Sequence, residues 1–182
     1  AIAATSTPFV KLSPGEENGQ HYSVSTNDHE VCAEMVDYLA SLGHERIAFV
    51  TGHVSHKAVE HRFRGYREGL ERNGLAYRKE LVVTGDNSFG SGEACANELI
   101  ALSAPPTAIF AANDDMATGV IRAANKLGID IPGQLSVAGF DDIALARQTF
   151  PSLTTIRQPL SAMAEHACEA LIRTLSEGEE LR

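Results

Sequence analysis

From Asn27 onward the chain alternates amphipathic helical stretches with short apolar runs, and this alternation limits its fold more than any other feature. The first helical stretch has apolar residues spaced close to 3.6 positions apart, at Val31, Met35, Leu39 and Leu42. Asn27 or Asp28 is its predicted N-cap, and Gly43 is its predicted end. Strand-like apolar runs lie at 46–50, 81–83, 107–112 and 135–138. Strands that alternate with helices in this way predict an α/β fold, a parallel sheet flanked by helices.

Two segments lie outside this alternation. Residues 1–26 are rich in proline and glycine and hold one short apolar piece at 8–10, which predicts a strand remnant and a long loop. After a short run at 153–156, a last helix is predicted to begin near Leu160, and no strand follows it. A helix with a strong apolar face and no following strand is expected to lack part of the surface that it packs against.

Composition and charge limit the function. The 182 residues are 43% hydrophobic, and 24 acidic against 15 basic side chains give a net charge of −9. The composition is that of a globular chain, and the charge argues against direct binding of nucleic acid, which depends on clustered Lys and Arg. Three scattered cysteines without a CxxC pair indicate neither a disulfide framework nor a thiolate metal site, and favour a reducing compartment.

Targeting signals are also missing from the sequence. No stretch approaches the roughly 18 apolar residues needed to span a bilayer, and residues 1–7 lack the features of a signal peptide. We therefore expect a cytoplasmic location. The chain opens without Met, which suggests a trimmed or partial product.

Polar side chains follow the ends of the predicted strands. In open α/β sheets the ligand crevice lies beyond the carboxyl ends of the strands. There the sequence places the segments 51–62, 85–89, 113–115 and 139–142, which together supply a guanidinium, carboxylates, amides and aromatic rings. This mixture suits a neutral, polyhydroxylated ligand, because carboxylates and amides bind hydroxyls in pairs and an aromatic face covers the C–H side of a sugar.

Enzyme and metal motifs are weak. There is no GxxxxGK[ST] phosphate loop and no GxSxG elbow, and Gly90-Ser91-Gly92 lacks the third glycine of a dinucleotide fingerprint. His53, His56 and His61 lie close together in the sequence, but their spacing is explained better by polar residues of a loop and a helix start than by a zinc site. Asp141 and Asp142 could bind Mg²⁺ in a phosphotransfer enzyme, and this function stays open as an alternative.

Each candidate site residue has a structural alternative. Asp114 and Asp142 are expected to cap the helices that follow them, whereas Asn113 and Asp141, the first residues beyond their strands, keep a functional interpretation. Arg62 alone would be an exposed helix arginine. Aromatic residues such as Phe89 and Phe140 are more often core or lid residues than sugar platforms.

Five segments, in order, are more specific than a generic α/β pattern. They are LGHERIAFVTG at 42–52, RFRGY at 62–66, PPTAIFAAND at 105–114, IPGQLSVAGFDD at 131–142 and PSLTTIRQP at 151–159. With these segments the chain resembles the LacI/GalR family of bacterial transcription regulators from about Val24 to Leu175. The resemblance implies an effector-binding domain like a periplasmic binding protein, with two α/β subdomains and a small ligand bound between them.

The resemblance also implies site residues and partners. The family's ligand arginine matches Arg62, its asparagine matches Asn113, the aspartate of its GFDD motif matches Asp141, and the glutamine of its TTxxQP motif matches Gln158. An apolar wall is expected from Phe89 or Phe140. The implied effector is a sugar or related metabolite, the implied assembly is a homodimer, and no cofactor or membrane is implied. Operator DNA would be bound by an N-terminal helix-turn-helix that this sequence does not contain.

Two positions depart from the family pattern. Asn87 stands where many members carry an aromatic residue after a Gly-Asp pair, and Ala58 stands where a ligand-facing Ser is common. Which side chain would stack on a ligand therefore stays open.

The resemblance divides the chain into three parts. Residues 1–26 would be a remnant of the N-terminal subdomain and crossover, 27–157 the C-terminal effector-binding subdomain, and 158–182 the crossover and returning helix. The alternative function is a sugar-binding component of a transporter, which shares this fold and would carry an export signal upstream.

Overall fold

The computed structural model describes residues 7–13 and 22–177. The described residues form two compact units, one at 27–158 and the other from the described parts of 1–26 and 159–182. The larger unit contains β3 (Ile47–Thr51), β4 (Val82–Thr84), β5 (Ala108–Ala111), β6 (Ser136–Asp141) and β7 (Thr154–Arg157), with helices α1 (Asp28–Ser41), α2 (Ala58–Arg72), α3 (Phe89–Ile100) and α4 (Asp114–Lys126). The smaller unit contains β1 (Lys11–Leu12), β2 (Ser23–Val24) and α5 (Leu160–Glu177).

The larger unit is built on a five-stranded parallel sheet in the order β4-β3-β5-β6-β7. Every residue of β5 is buried, as are the first four residues of β3 and the middle four of β6. Runs that are apolar on both faces are typical of central parallel strands covered by helices. The α/β architecture predicted from the sequence is confirmed.

The smaller unit differs in detail from the prediction. The apolar piece at 8–10 is not in a strand, because the first strand is Lys11–Leu12, which pairs in parallel with Ser23–Val24. The predicted long loop falls largely on residues 14–21, outside the described residues. The last helix begins at Leu160 as expected, and it buries Met163, Ala167 and Ala170 while Ile172 and Leu175 stay exposed.

Helix ends follow local chemistry. Asn27 accepts a hydrogen bond from the Glu30 backbone N–H at α1, and Ser88 accepts one from the Ser91 N–H at α3. The predicted end of α1 is confirmed at Gly43, which has a φ of 91°, and Gly128 after α4 has a φ of 70°; both angles are in the left-handed region that favours glycine.

Glycines allow the helices to pack closely in pairs. A Cβ on Gly65 of α2 would lie 2.0 Å from the His29 carbonyl oxygen in α1, and one on Gly92 of α3 would lie 2.1 Å from the Met116 carbonyl oxygen in α4. These clashes involve backbone atoms, which a side-chain rotation cannot relieve. The helix pairs α1/α2 and α3/α4 therefore depend on the absence of a side chain at these positions.

We predict that Gly92→Ala lowers the free energy of unfolding by about 1–3 kcal/mol, the usual effect of forcing extra volume into a packed interface. Denaturant unfolding followed by circular dichroism measures this change. Gly90→Ala in the same helix is the control, because its Cβ would find only one neighbouring atom, 4.0 Å away. Equal destabilisation by both variants would show that the α3/α4 contact is not the cause.

Candidate functional site

The Arg62 guanidinium lies at the centre of a buried polar cluster. Nε donates a hydrogen bond of 2.8 Å to Oδ2 of Asp28, and Nη1 donates one of 2.6 Å to the Ala112 carbonyl oxygen. The guanidinium carbon is 3.7 Å from the centre of the Phe140 ring, and Nη1 is 3.9 Å from Oδ1 of Asp141. Arg62 is therefore a buried residue that joins α2 to α1 and to the ends of β5 and β6.

Asp141 is the last residue of β6 and is the second charged group of this cluster. Its Oδ1 accepts a hydrogen bond of 2.6 Å from Nε2 of Gln158, which follows β7. Its φ of 119°, and that of 56° at Asp142, lie in a region that residues other than glycine rarely adopt. Strain of this kind persists only where the surrounding contacts hold the backbone in place, and it often marks functional sites.

Two groups of the cluster retain unused hydrogen-bonding capacity. Among the described residues, none accepts a hydrogen bond from Nη2 of Arg62, and none donates one to Oδ2 of Asp141. No buried side-chain nitrogen or oxygen in the described part of the chain lacks a partner, so both atoms reach the molecular surface. Arg62 and Asp141, whose Nη1 and Oδ1 atoms are 3.9 Å apart, thus offer one free donor and one free acceptor.

Burial sets the protonation of Asp141. Removal of the carboxyl from water raises its pKa from the ordinary 3.8 to about 6, and the nearby carboxylates of Asp114 and Asp28 act in the same direction. The hydrogen bond from Gln158 and the charge of Arg62 offset this only in part. The free oxygen therefore belongs to a carboxyl that titrates close to neutral pH.

Asn113 and Asn87 connect the loops beside this cluster. The Asn113 side chain caps α4 by accepting a hydrogen bond of 2.9 Å from the Met116 N–H, and its Nδ2 donates one of 2.9 Å to the Asn87 carbonyl oxygen. Asn87 has a φ of 72°, and its Oδ1 accepts a hydrogen bond from the His53 N–H at 3.3 Å. Asn87 therefore ties together the loops that follow β3, β4 and β5.

The capping roles expected for Asp114 and Asp142 are wrong. Asn113 caps α4, and Asp114 is fully buried, where its carboxylate accepts hydrogen bonds from the Ile143 N–H at 2.9 Å and the Thr155 hydroxyl at 2.5 Å. Burial raises the pKa of Asp114. A propensity rule cannot distinguish between two adjacent residues that can both cap, and tertiary contacts decide it here.

Asp142 forms ion pairs with two arginines. Its Oδ2 accepts hydrogen bonds from Arg147 at 3.0 Å and from Arg157, and these bonds lower the pKa of the Asp142 carboxyl. It caps no helix, because the short 3₁₀ turn at Ala144–Arg147 has Ile143 at its N-cap and no side-chain cap. A Mg²⁺ ion shared by Asp141 and Asp142 would have to displace these arginines.

The two predicted aromatic residues lie in different surroundings. Phe140 is 1% exposed and packs its ring against the Arg62 guanidinium, so neither face of the ring is accessible. Phe89, the first residue of α3, is 38% exposed, and its ring centre is 5.9 Å from the Arg122 guanidinium. Phe89 lines an open pocket of about 550 Å³ with residues of α4 and with Leu145 and Phe150. The stacking role of either ring stays a prediction.

His53 and His56 lie in the loop that follows β3, whereas His61 lies in the first turn of α2. The rings of His53 and His56 meet edge to face at 6.1 Å, and Nδ1 of His53 is 2.7 Å from the Ser55 hydroxyl. Within residues 7–13 and 22–177, no three His, Cys, Asp or Glu side chains are grouped as metal ligands would be. None of the described helices is long and apolar enough to cross a bilayer.

Sequence reasoning missed two residues of the site. Asp28 was considered only as a helix cap, but it is the closest charged partner of Arg62. Asn87 was noted only as a missing aromatic residue, but it connects three loops. An Asp next to a better cap, and an Asn in a tight Gly-Asp-Asn-Ser turn, were the only signals that could have indicated these roles.

Comparison with known proteins identifies the family of this chain. The family model of the periplasmic binding protein-like domain matches residues 36–182. The chain belongs to this family, and it is an effector-binding domain of the LacI/GalR type of transcription regulator.

The curated relatives are regulators. The chain is 32% identical over 98% of its length to a probable HTH-type transcriptional repressor, ExuR of Bacillus subtilis, and 33% identical over 98% to the HTH-type regulator AscG of Escherichia coli. It spans 54% and 53% of these two proteins, about half of their length. These relatives are transcription regulators and not enzymes, and they do not favour the transporter alternative.

Solved structures agree with this assignment. The E. coli repressor AscG superimposes with a TM-score of 0.85 at 32% identity, covering 98% of this chain and 65% of that one. A LacI-family regulator from Enterococcus faecium, solved with bound ribose, has a TM-score of 0.87 at 27% identity and covers 95% of this chain and 64% of that one.

The raised pKa of Asp141 predicts a pH-dependent stability. Between pH 4 and pH 6 the native state holds a proton on Asp141 that the unfolded state has released, so this carboxyl destabilises the native state as the pH rises. Asp141→Asn removes this effect and keeps the acceptor for Gln158. We expect the free energy of unfolding of the variant, relative to that of the wild type, to rise by about 2–3 kcal/mol between pH 4 and pH 7. Urea unfolding at several pH values measures the gain, and a pH-independent difference would contradict it.

Proposed function

We propose that this domain binds a sugar or a related polyhydroxylated metabolite at the Arg62–Asp141 cluster. The observation that carries the proposal is the Arg62–Asp141 pair, in which Nη1 and Oδ1 are 3.9 Å apart while Nη2 of Arg62 and Oδ2 of Asp141 have no hydrogen-bond partner among the described residues. A donor and an acceptor at this spacing bind adjacent hydroxyls, each of which both donates and accepts. Gln158 and Asn113 add amide groups at the same sheet edge, as the ligand residues implied by the family resemblance.

Preorganisation supports the same proposal. The Arg62 guanidinium is held by Asp28, by the Ala112 carbonyl oxygen and by the Phe140 ring, so it loses little freedom when a ligand binds. The strained backbone at Asp141 and Asp142 is held by Gln158 and by two arginines. Rigid polar groups of this kind favour a specific small ligand.

In the whole protein we propose that ligand binding changes operator affinity. A DNA-binding helix-turn-helix would lie in the part of the protein that is not in this chain, because the regulators it resembles are about twice its length. The net charge of −9 gives these residues no electrostatic role on DNA. A regulator of this kind acts in the cytoplasm.

We also propose that the protein is a homodimer that pairs through the face lined by Phe89. Phe150 is 92% exposed there, an unusual state for a large apolar side chain. Glu93 forms ion pairs with Arg122 and Lys126 beside this face, so both signs of charge are present. A two-fold axis would bring the cations of one copy to the carboxylate of the other, and a second copy therefore suits the surface.

The ligand site is tested with Arg62→Lys. Lysine keeps the positive charge beside Asp28 but lacks the fork that reaches Ala112 and a ligand at once. We expect effector affinity to fall by about tenfold to a hundredfold, equivalent to about 1–3 kcal/mol for one buried hydrogen bond. Isothermal titration calorimetry against a panel of pentoses and hexoses measures it. Arg67→Lys on the exposed side of α2 is the matched control, and unchanged affinity in Arg62→Lys would refute the site.

The dimer is tested with Phe150→Asp. A charge at the centre of an apolar interface remains unpaired and desolvated when two copies meet, so we expect the variant to be monomeric. Multi-angle light scattering at concentrations where the wild type is dimeric gives the result. Tyr38→Asp, at an exposed aromatic residue of α1, should leave the dimer intact. A wild-type mass of 19.5 kDa at high concentration would refute the dimer itself.

A further inference from the structure

Two carboxylates lie near the Arg62 guanidinium, but only one of them is hydrogen-bonded to it. Nε of Arg62 donates a hydrogen bond of 2.8 Å to Oδ2 of Asp28, whereas Nη1 is 3.9 Å from Oδ1 of Asp141. A separation of 3.9 Å is beyond hydrogen-bond distance. Arg62 and Asp141 therefore stay apart, although their charges are opposite and their side chains are only 10% and 24% exposed.

Two hydrogen bonds from different elements fix the guanidinium. Asp28, the first residue of α1, accepts from Nε, and the carbonyl oxygen of Ala112, directly after β5, accepts a bond of 2.6 Å from Nη1. The Phe140 ring centre lies 3.7 Å from the guanidinium carbon. Because the guanidinium is rigid and planar, Arg62 cannot close the gap to Asp141 while both bonds keep their lengths.

Asp141 is held by contacts of its own. Oδ1, the oxygen that forms the 3.9 Å pair with Arg62, accepts a hydrogen bond of 2.6 Å from Nε2 of Gln158. The backbone of Asp141 is in register with Arg157 of β7, and its carbonyl oxygen accepts a bond of 3.2 Å from the Gln158 N–H. Asp141 is thus held through both side chain and backbone at the end of β6.

Without Asp28 the nearest remaining carboxylate for Arg62 is that of Asp141. A guanidinium and a carboxylate that meet directly tend to form a pair with two parallel N–H···O bonds. Such a pair would use the nitrogens of Arg62 and the oxygens of Asp141 that the proposed function assigns to a sugar. Separating a buried pair leaves uncompensated charge, which is strongly unfavourable. A sugar would then have to break an ion pair before it could bind.

From this geometry we propose that Asp28 is a positioning residue, which holds Arg62 apart from Asp141 and so keeps the ligand site open. The proposal rests on the ligand site described above and adds to it a residue that the sequence indicated only as a helix cap. Asp28 acts through Arg62, by competing with Asp141 for the guanidinium, and needs no contact with the sugar. Sugar affinity therefore depends on an acceptor at position 28.

Two substitutions separate the acceptor from the charge. Asp28→Ala removes both the negative charge and the acceptor for Nε of Arg62, whereas Asp28→Asn removes the same charge but keeps an acceptor oxygen of the same reach. Calorimetric titration of the purified chain with D-ribose, D-xylose, D-glucose, D-galactose and D-mannose measures binding. For the sugar that the wild type binds most tightly, we expect affinity to fall about tenfold or more in Asp28→Ala and to stay within about threefold in Asp28→Asn. Glu34→Ala, at an exposed residue of α1, is the control and should bind like the wild type.

NMR titration of the Asp141 carboxyl gives a readout that a purely structural role of Asp28 would not change. The Asp141 signal is assigned by its loss in Asp141→Asn. Both Asp28 substitutions remove a negative charge that raises the pKa of Asp141, so this charge effect is the same in the two variants. A direct ion pair with Arg62 lowers a carboxyl pKa further. We therefore expect a lower pKa of Asp141 in Asp28→Ala than in Asp28→Asn.

The outcomes distinguish this inference from the proposed function. Wild-type affinity in Asp28→Ala, equal losses in Asp28→Ala and Asp28→Asn, or an equal pKa of Asp141 in both would overturn the positioning role and leave sugar binding intact. If the wild type binds none of the sugars, the proposed function fails, and the pKa comparison alone decides the positioning role. If Asp28→Ala does not melt like the wild type, Asp28→Ser replaces it, because the serine hydroxyl is one bond shorter than the carboxylate.

Discussion

The buried Arg62 guanidinium is the interaction on which the site depends. It contacts Asp28 at the start of α1, the Ala112 carbonyl oxygen after β5, and Phe140 and Asp141 at the end of β6. A buried cation needs such partners, because an unpaired charge in a dry environment is strongly destabilising. The same contacts that stabilise Arg62 connect α1 and α2 to the ends of β5 and β6.

The loops around this cluster are held by side-chain to backbone hydrogen bonds. Asn87 connects the turns after β3, β4 and β5, and Asp114 connects the segment after β6 to β7. Asn87 itself has a positive φ, and Asp114 accepts a hydrogen bond from Ile143, which follows the positive-φ residues Asp141 and Asp142. Loops at strand ends lack the backbone hydrogen bonds that join neighbouring strands, so side-chain to backbone bonds of this kind are what makes such loops rigid.

Local sequence signals predicted the framework well. Helical periodicity, apolar runs, caps and glycine stops depend on neighbouring residues, so α1 and the strands β3 to β6 were predicted within a few residues of their bounds. Arg62, Asp141 and Gln158 were indicated by position and family resemblance, and the structure brings them together with Phe140. The pairing of Arg62 with Asp28 joins residues 34 positions apart, and no local pattern contains that information.

The sequence alone thus determined the α/β class, the order of helices and strands, and the sheet edge at which the polar candidate residues gather, because these follow from periodicity and from the geometry of parallel sheets. Tertiary structure decided which of two adjacent residues caps α4, which carboxylate neutralises Arg62, and which stays free. Those outcomes depend on burial and on distances between atoms far apart in the chain. The charge of the site is for that reason a property of the fold and not of any motif.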